Sequence, residues 1–295
     1  MDIATTTRYA PSYSNLLVPG LTYEFTVVTV DSKDKPCLYV LDHPGEGTTL
    51  DLNFYLVGAN GMDAADARRD KNLEVVLHWV EHIYRKVGIE IGDVRYRNVP
   101  EKVETRHKRI TSKNEARKLM AYGSAPNGSL EGHLTIDVFL VNDLQVSRDR
   151  EGNVLGMSAG VPGAGGLHGN ARNGLVFRVT DLGKANKHVG HVMAHEIGHF
   201  LGLRHTTERV HGHPDAKRLD NLLGTTDPIE DTPVCEDIVD TIKRKPFGCP
   251  DADNLMYPFA PPPRRNVDPN LTPKQGEALK ANPLVRKDVS ATNSK

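Results

Sequence analysis

HEIGHFLGLRH, residues 195–205, sets three histidines, a glutamate and a glycine at fixed offsets, and the rest of the chain is read outward from it. On a helix, residues i and i+4 share one face, so His195 and His199 present two imidazoles to the same point. Two nitrogens do not complete a zinc site; a catalytic zinc takes three protein ligands and keeps one position open. Gly202 supplies the route to a third. Helices commonly end on a glycine in the left-handed conformation, which turns the chain sharply back. Three residues later His205 can then swing under the metal. Glu196, next to the first ligand, lies beside the open position, where a carboxylate can take a proton from a metal-activated water.

The segments around this stretch alternate. TLDLNFYLV (49–57) reads as a strong strand. From Asp70 the apolar positions Leu73, Val76, Leu77, Val80, Ile83, Tyr84 and Val87 follow the rhythm of a long amphipathic helix, stopped by Gly88. GIEIGDVRYRNV (88–99), HLTIDVFLV (133–141) and GLVFRV (174–179) read as further strands, and a helix is expected from about Gly183 to Leu201. That order points to an α/β sheet in the first half. Upstream, LTYEFTVVTV (21–30) and PCLYVL (36–41) read as a hairpin, and HPGEGTT (43–49) as a boundary. The glycine-rich 151–174 lacks the GK[ST] of a phosphate loop and reads as an irregular loop with one short strand across a cleft. Beyond the helix the chain is rich in loops until Thr272, Pro273 and Gln275, which have the spacing of a capping box on a short terminal helix.

Composition narrows the class. The 295 residues carry 37 basic against 38 acidic side chains, so no global field argues for nucleic acid or an anionic membrane. The basic stretch 101–118 is mixed in sign and lacks aromatics, and reads as a solvated connection and helix face. No apolar run reaches the ~18 residues of a membrane helix. MDIATTTRYAPSYSN has no signal-peptide pattern, which leaves a cytoplasmic protein or a secreted, periplasmic or cell-surface one whose export signal is absent from this chain. Cys235 and Cys249 can close a small loop, which favours the oxidising compartment, or stand as buried thiols.

HEIGHFLGLRH matches HExxHxxGxxH, and the chain on that ground resembles the metzincin zinc endopeptidases. The resemblance implies a methionine in a tight turn beneath the histidines, and Met256 in NLMYP (254–258) fits. TDPIEDTP (226–233), FGCP (247–250) and LTPKQ (271–275) resemble the pappalysin-like branch, whereas NLMYP itself looks more like a matrixin. Some metzincins place a tyrosine ligand two residues after the methionine; here Pro258 stands there and Tyr257 directly follows Met256.

The resemblance implies an α/β (α+β) zincin fold, with a twisted mixed sheet and the active-site helix in an upper subdomain and a loop-rich lower one. The catalytic domain would span 49–285, divided near residue 203, with 286–295 a flexible tail. Residues 1–48 would be a hairpin extension or a prosegment, in which Cys37 is either a latch on the metal or an ordinary strand cysteine. Calcium is implied in the acidic interval, with Asp227, Asp231 and Thr232 as its candidate ligands, the alternative being solvated loop acids, since no EF-hand pattern is present. The expected activity is hydrolysis of protein or peptide substrates with Glu196 as general base and acid. The alternatives are a zinc-stabilised binding or toxin module, and a latent precursor blocked by residues 1–48. Of the other histidines, His188 and His191 are expected to support a ligand or to pack rather than to ligate, HGHPD (211–215) to be a surface loop or, as the alternative, a second metal site, and His168 to border the cleft.

Overall fold

Strand β1 (Thr49–Val57) is buried along its whole length, because both faces of the sheet it anchors are covered. We describe a computed structural model over residues 47–123, 134–146, 154–163, 165, 171–207, 227, 229–233, 248–259 and 267–287. Its main sheet has six strands. β2 (Glu90–Asn98), β1, β4 (Ile136–Val141), β7 (Leu175–Arg178) and β6 (Gly156–Ser158) lie in that spatial order, and β8 (Val285–Arg286) pairs with the start of β1. The β2–β1, β1–β4 and β4–β7 pairs are parallel, while β6–β7 and β8–β1 are antiparallel, so the sheet is mixed. A second, two-stranded sheet joins β3 (Arg109–Ile110) to β5 (Asp143–Leu144).

Alternation along β1 sorts the core. Leu50, Leu52, Phe54 and Leu56 face the layer formed by α2 (Lys71–Arg85) and α5 (Asn186–Leu201). Helix α2, preceded by the short α1 (Ala64–Ala67), begins where the Asp70 carboxylate accepts the Leu73 N–H at 2.8 Å. Its buried stripe of Leu73, Val76, Val80, Ile83 and Tyr84 is the one expected from the periodicity. Tyr84 donates its hydroxyl to the Ala194 carbonyl at 2.9 Å, tying α2 to the helix that carries the histidines.

Tyr55 and Val57 point the other way and meet Phe139 and Val141 under α3 (Glu101–His107) and α4 (Lys113–Gly123). The charged stretch 101–118 is thus more than a solvated connection. Val103, Ile110 and Ala116, with Leu119 and Met120 beyond it, pack beneath its charges and close the second face of the sheet. Its mixed charge hid an apolar stripe only five positions deep. Near the C-terminal end, α6 (Pro273–Lys280) carries the capping box as expected, with Thr272 and Gln275 each bonded to the other's backbone. Among the described residues, no helix is long and apolar enough to cross a membrane. The proposed hairpin at 21–41 and Cys37 lie outside the described residues, as do all but the last two positions of the proposed 1–48 extension.

Candidate metal centre

Helix α5 stops at Gly202, whose φ of 117° is costly for any residue with a Cβ. The Gly202 N–H bonds to the His199 carbonyl and the Leu203 N–H to the Gly198 carbonyl, both at 2.9 Å. This pair of bonds satisfies two helix-end carbonyls and reverses the chain. The reversal brings His205 back beneath the helix, as the sequence spacing predicted. His205 Nε2 lies 3.3 Å from His195 Nε2 and 3.0 Å from His199 Nε2.

The outward nitrogens of the two helical imidazoles are fixed by backbone. His195 Nδ1 lies 2.6 Å from the Leu255 carbonyl and His199 Nδ1 2.8 Å from the Leu203 carbonyl. A carbonyl can only accept, so each Nδ1 carries the proton and each Nε2 turns a lone pair toward the common point. Burial, reinforced by the neighbouring His205, pushes the His195 pKa down to about 3. Burial first, then His195 and His205, hold His199 well below the ordinary imidazole value. Both rings are therefore neutral at pH 7.

Lone pairs crowded in this way repel one another unless a cation lies between them. Three nitrogens around one tetrahedral ion with metal–nitrogen bonds of about 2.0–2.1 Å sit about 3.3 Å apart, so the residues present fit such an ion. Among the described residues, His195, His199 and His205 are the one group of three or more His, Cys, Asp or Glu side chains placed to hold a metal, with ligand atoms all within 4.8 Å of one another.

Glu196 lies next in the helix. Its Oε2 accepts the backbone N–H of Ser158, on edge strand β6, at 2.7 Å. Burial raises its pKa to about 7, against the lowering influence of that N–H and of His205. The short strand expected within 151–174 is thus tied to the glutamate by its backbone, a contact no side-chain pattern announces.

Below the helix, Met256 is fully buried. A Cβ on Gly198 would come within 2.7 Å of its sulfur, so the glycine admits the methionine against the helix one residue before His199. Its neighbour Leu255 supplies the carbonyl for His195, and its own carbonyl accepts the Thr206 N–H at 3.1 Å. Tyr257 is turned away into a small cluster with Cys249, Ala252 and Phe259, where burial and then Asp251 push its pKa up to about 12.

The other expectations fare differently. Asp227, Asp231 and Thr232 come close together, but their oxygens are engaged by protein. Asp227 accepts from Ile229 N–H, Thr232 Oγ1 and Gln275 Nε2, and Asp231 from Thr272 Oγ1 and Lys274 N–H. They act as struts for α6, and among the described residues no further acid joins them to make a group placed to hold an ion. Cys249 is buried, while Cys235, its expected disulfide partner, lies outside the described residues with His168 and HGHPD. His191 stacks edge-on against Trp79 with ring centres 5.5 Å apart, the packing role expected of it. Asn254, Gln275 and the carbonyls of Leu203 and Leu255 were missed; only the capping box hinted at Gln275.

Fold and cluster together define a mixed α/β protein with a three-histidine site able to hold a metal ion. No protein-family model matches the chain, and no curated protein does. Among solved structures it is similar to metalloproteinase-II from Bacteroides fragilis, at 13% identity and a TM-score of 0.44, over 81% of this chain and 54% of that one. The chain thus spans about half the length of that neighbour.

Proposed function

We propose that the protein is a zinc-dependent endopeptidase of the metzincin type, nearest the pappalysin-like branch but with a matrixin-like methionine turn at Met256. The observation that carries this reading is the convergence of three Nε2 atoms beside a carboxylate held by an edge strand. A zinc ion held by His195, His199 and His205 supplies Lewis acidity, which polarises a scissile carbonyl and acidifies water. The protein's own groups do the rest. Ser158 N–H holds Oε2 of Glu196, and we assign the other oxygen, Oε1, to the attacking water. Oε1 takes the water's proton and later delivers it to the leaving amine. Among the described residues β6 pairs with β7 along one edge, and we assign to its other edge, where Ser158 N–H meets Glu196, an extended substrate strand.

The test is cleavage of denatured casein by the zinc-loaded wild type and by Glu196→Ala, each also assayed after chelation. Removing the base is expected to lower kcat by about 10²–10⁴-fold with zinc content unchanged. Zinc bound stoichiometrically with no cleavage by the wild type would break the endopeptidase reading and favour a zinc-stabilised binding module.

A further inference from the structure

The two segments that hold the histidine cradle from below are joined through one buried side chain. Gln275 is fully buried although it sits in the first turn of α6, 70 positions beyond His205. Its Oε1 accepts from Asn254 Nδ2 at 2.9 Å and from the Thr272 N–H at 3.0 Å. Its Nε2 donates to Asp227 Oδ2 at 3.0 Å and reaches Asn254 Oδ1 at 3.4 Å. Thr272 offers a donor and Asp227 an acceptor, so the amide fits in this orientation alone.

Each partner leads to a metal-facing histidine. Asn254 Oδ1 accepts the Met256 N–H at 2.8 Å, shaping the turn whose Leu255 carbonyl holds His195 Nδ1. The Asp227 N–H donates to the His205 carbonyl at 2.8 Å. His195 rides on a rigid helix, whereas His205 stands on irregular chain whose place depends on such bonds. We propose that Gln275 is a positioning residue for the metal centre, setting His195 and His205 in register by gripping Asn254 and Asp227 at once. This rests on the reading of the three histidines as metal ligands.

The experiment compares wild type, Gln275→Met and Thr272→Ala, each measured for zinc dissociation constant by competition with a chromophoric chelator, for the visible spectrum of the cobalt-substituted protein, and for Tm of the metal-free protein. Gln275→Met keeps the length and apolar bulk but removes every bond of the amide. It is expected to weaken zinc binding about 10-fold or more and to alter the cobalt spectrum. Thr272→Ala, which removes the helix-cap bond and the contact to Asp231 but none of the bonds from Gln275 to Asn254 and Asp227, should lower Tm and leave both metal readouts as in the wild type. A Gln275→Met protein within about two-fold of wild-type zinc affinity, with an unaltered cobalt spectrum, overturns the proposal, since partners behind metal ligands ordinarily matter 10–100-fold. Should Gln275→Met fail to fold, Asp227→Ala removes the acceptor at one end of the grip and keeps the backbone N–H that meets His205. It is expected to weaken zinc binding in the same direction, and unchanged affinity there overturns the proposal equally. A wild type that binds no zinc breaks the metal-centre reading itself, whereas normal wild-type binding with an unaffected variant breaks only this inference.

Discussion

The two halves of the histidine cradle are held by different physics. His195 and His199 stand on α5, which Ile197, Phe200 and Leu201 bury in the main apolar core alongside α2 and β1. Leu203, Leu255 and Met256 around His205 join that core, but His205 and the segment after it are also tied by single hydrogen bonds: Thr206 N–H to Met256, Asp227 N–H to His205, and Thr207 Oγ1 to Asp251 Oδ2 at 2.5 Å. An apolar face is non-directional and tolerates small errors, while a strut of one bond fails when one partner is removed. The helix therefore sets the positions of two of the three histidines, and the polar region helps set the position of the third.

The sharpest test of the apolar half is Phe200→Ala. The ring is fully buried, and Gly163 packs directly on it. Its loss should cost about 3–5 kcal/mol of stability by denaturant unfolding, equally with and without zinc. A cost below about 1 kcal/mol would mean that α5 is not the rigid half.

Zinc itself reports on the other half. Metal that binds only the folded protein should stabilise the wild type by about 2.7 kcal/mol at one hundred times its dissociation constant. His205→Ala should lose that gain while its metal-free Tm stays close to wild type. If the variant keeps the whole gain, the third ligand is not His205.

A smaller effect is expected from Thr207→Val, which keeps the shape and deletes the donor to the buried Asp251. Leaving that carboxylate without its partner should cost about 1–3 kcal/mol, read as a lower Tm. An unchanged Tm would show that the segment after His205 is held by something other than this bond.

The same division explains what could be read from the sequence. The period of α2, the alternation of β1 and the HExxHxxGxxH spacing are repeated signals, each stated by several residues at once, so strands, helices and all three histidines could be placed. Gly202 could be read because a left-handed φ restricts the residue type. The struts had no such redundancy. Leu203 and Leu255 act through carbonyls, which every residue possesses, and Ser158 through its N–H. Asp227 and Asp231 read as candidate cation ligands because acid-rich loops look alike, and the protein donors that reach them, from 229–232 and from Thr272 to Gln275, carry no signal of their own. The apolar stripe of α3 and α4 was too short and too charged in its surroundings to stand out.

The smallest effect tests whether the polar region is one cooperative unit or a set of separable bonds. Thr272 Oγ1 accepts the Gln275 N–H at 3.2 Å and donates to Asp231 Oδ1 at 2.6 Å, so it closes the capping box and holds an acid of the 227–232 turn. Thr272→Ala removes both contacts but keeps the backbone N–H that meets Gln275 Oε1. Exposed-end caps of this kind are worth about 1 kcal/mol, and Asp231 retains the Lys274 N–H, so a loss near that value is expected in denaturant unfolding. Casein cleavage should stay at the wild-type level, because the bonds from Gln275 to Asn254 and Asp227 survive. A loss of several kcal/mol with a parallel fall in zinc affinity would show that α6, the 227–232 turn and the cradle stand or fall together. The contrast between the two halves would then be one of cooperative blocks, an apolar one and a polar one, rather than of a rigid core and independent struts.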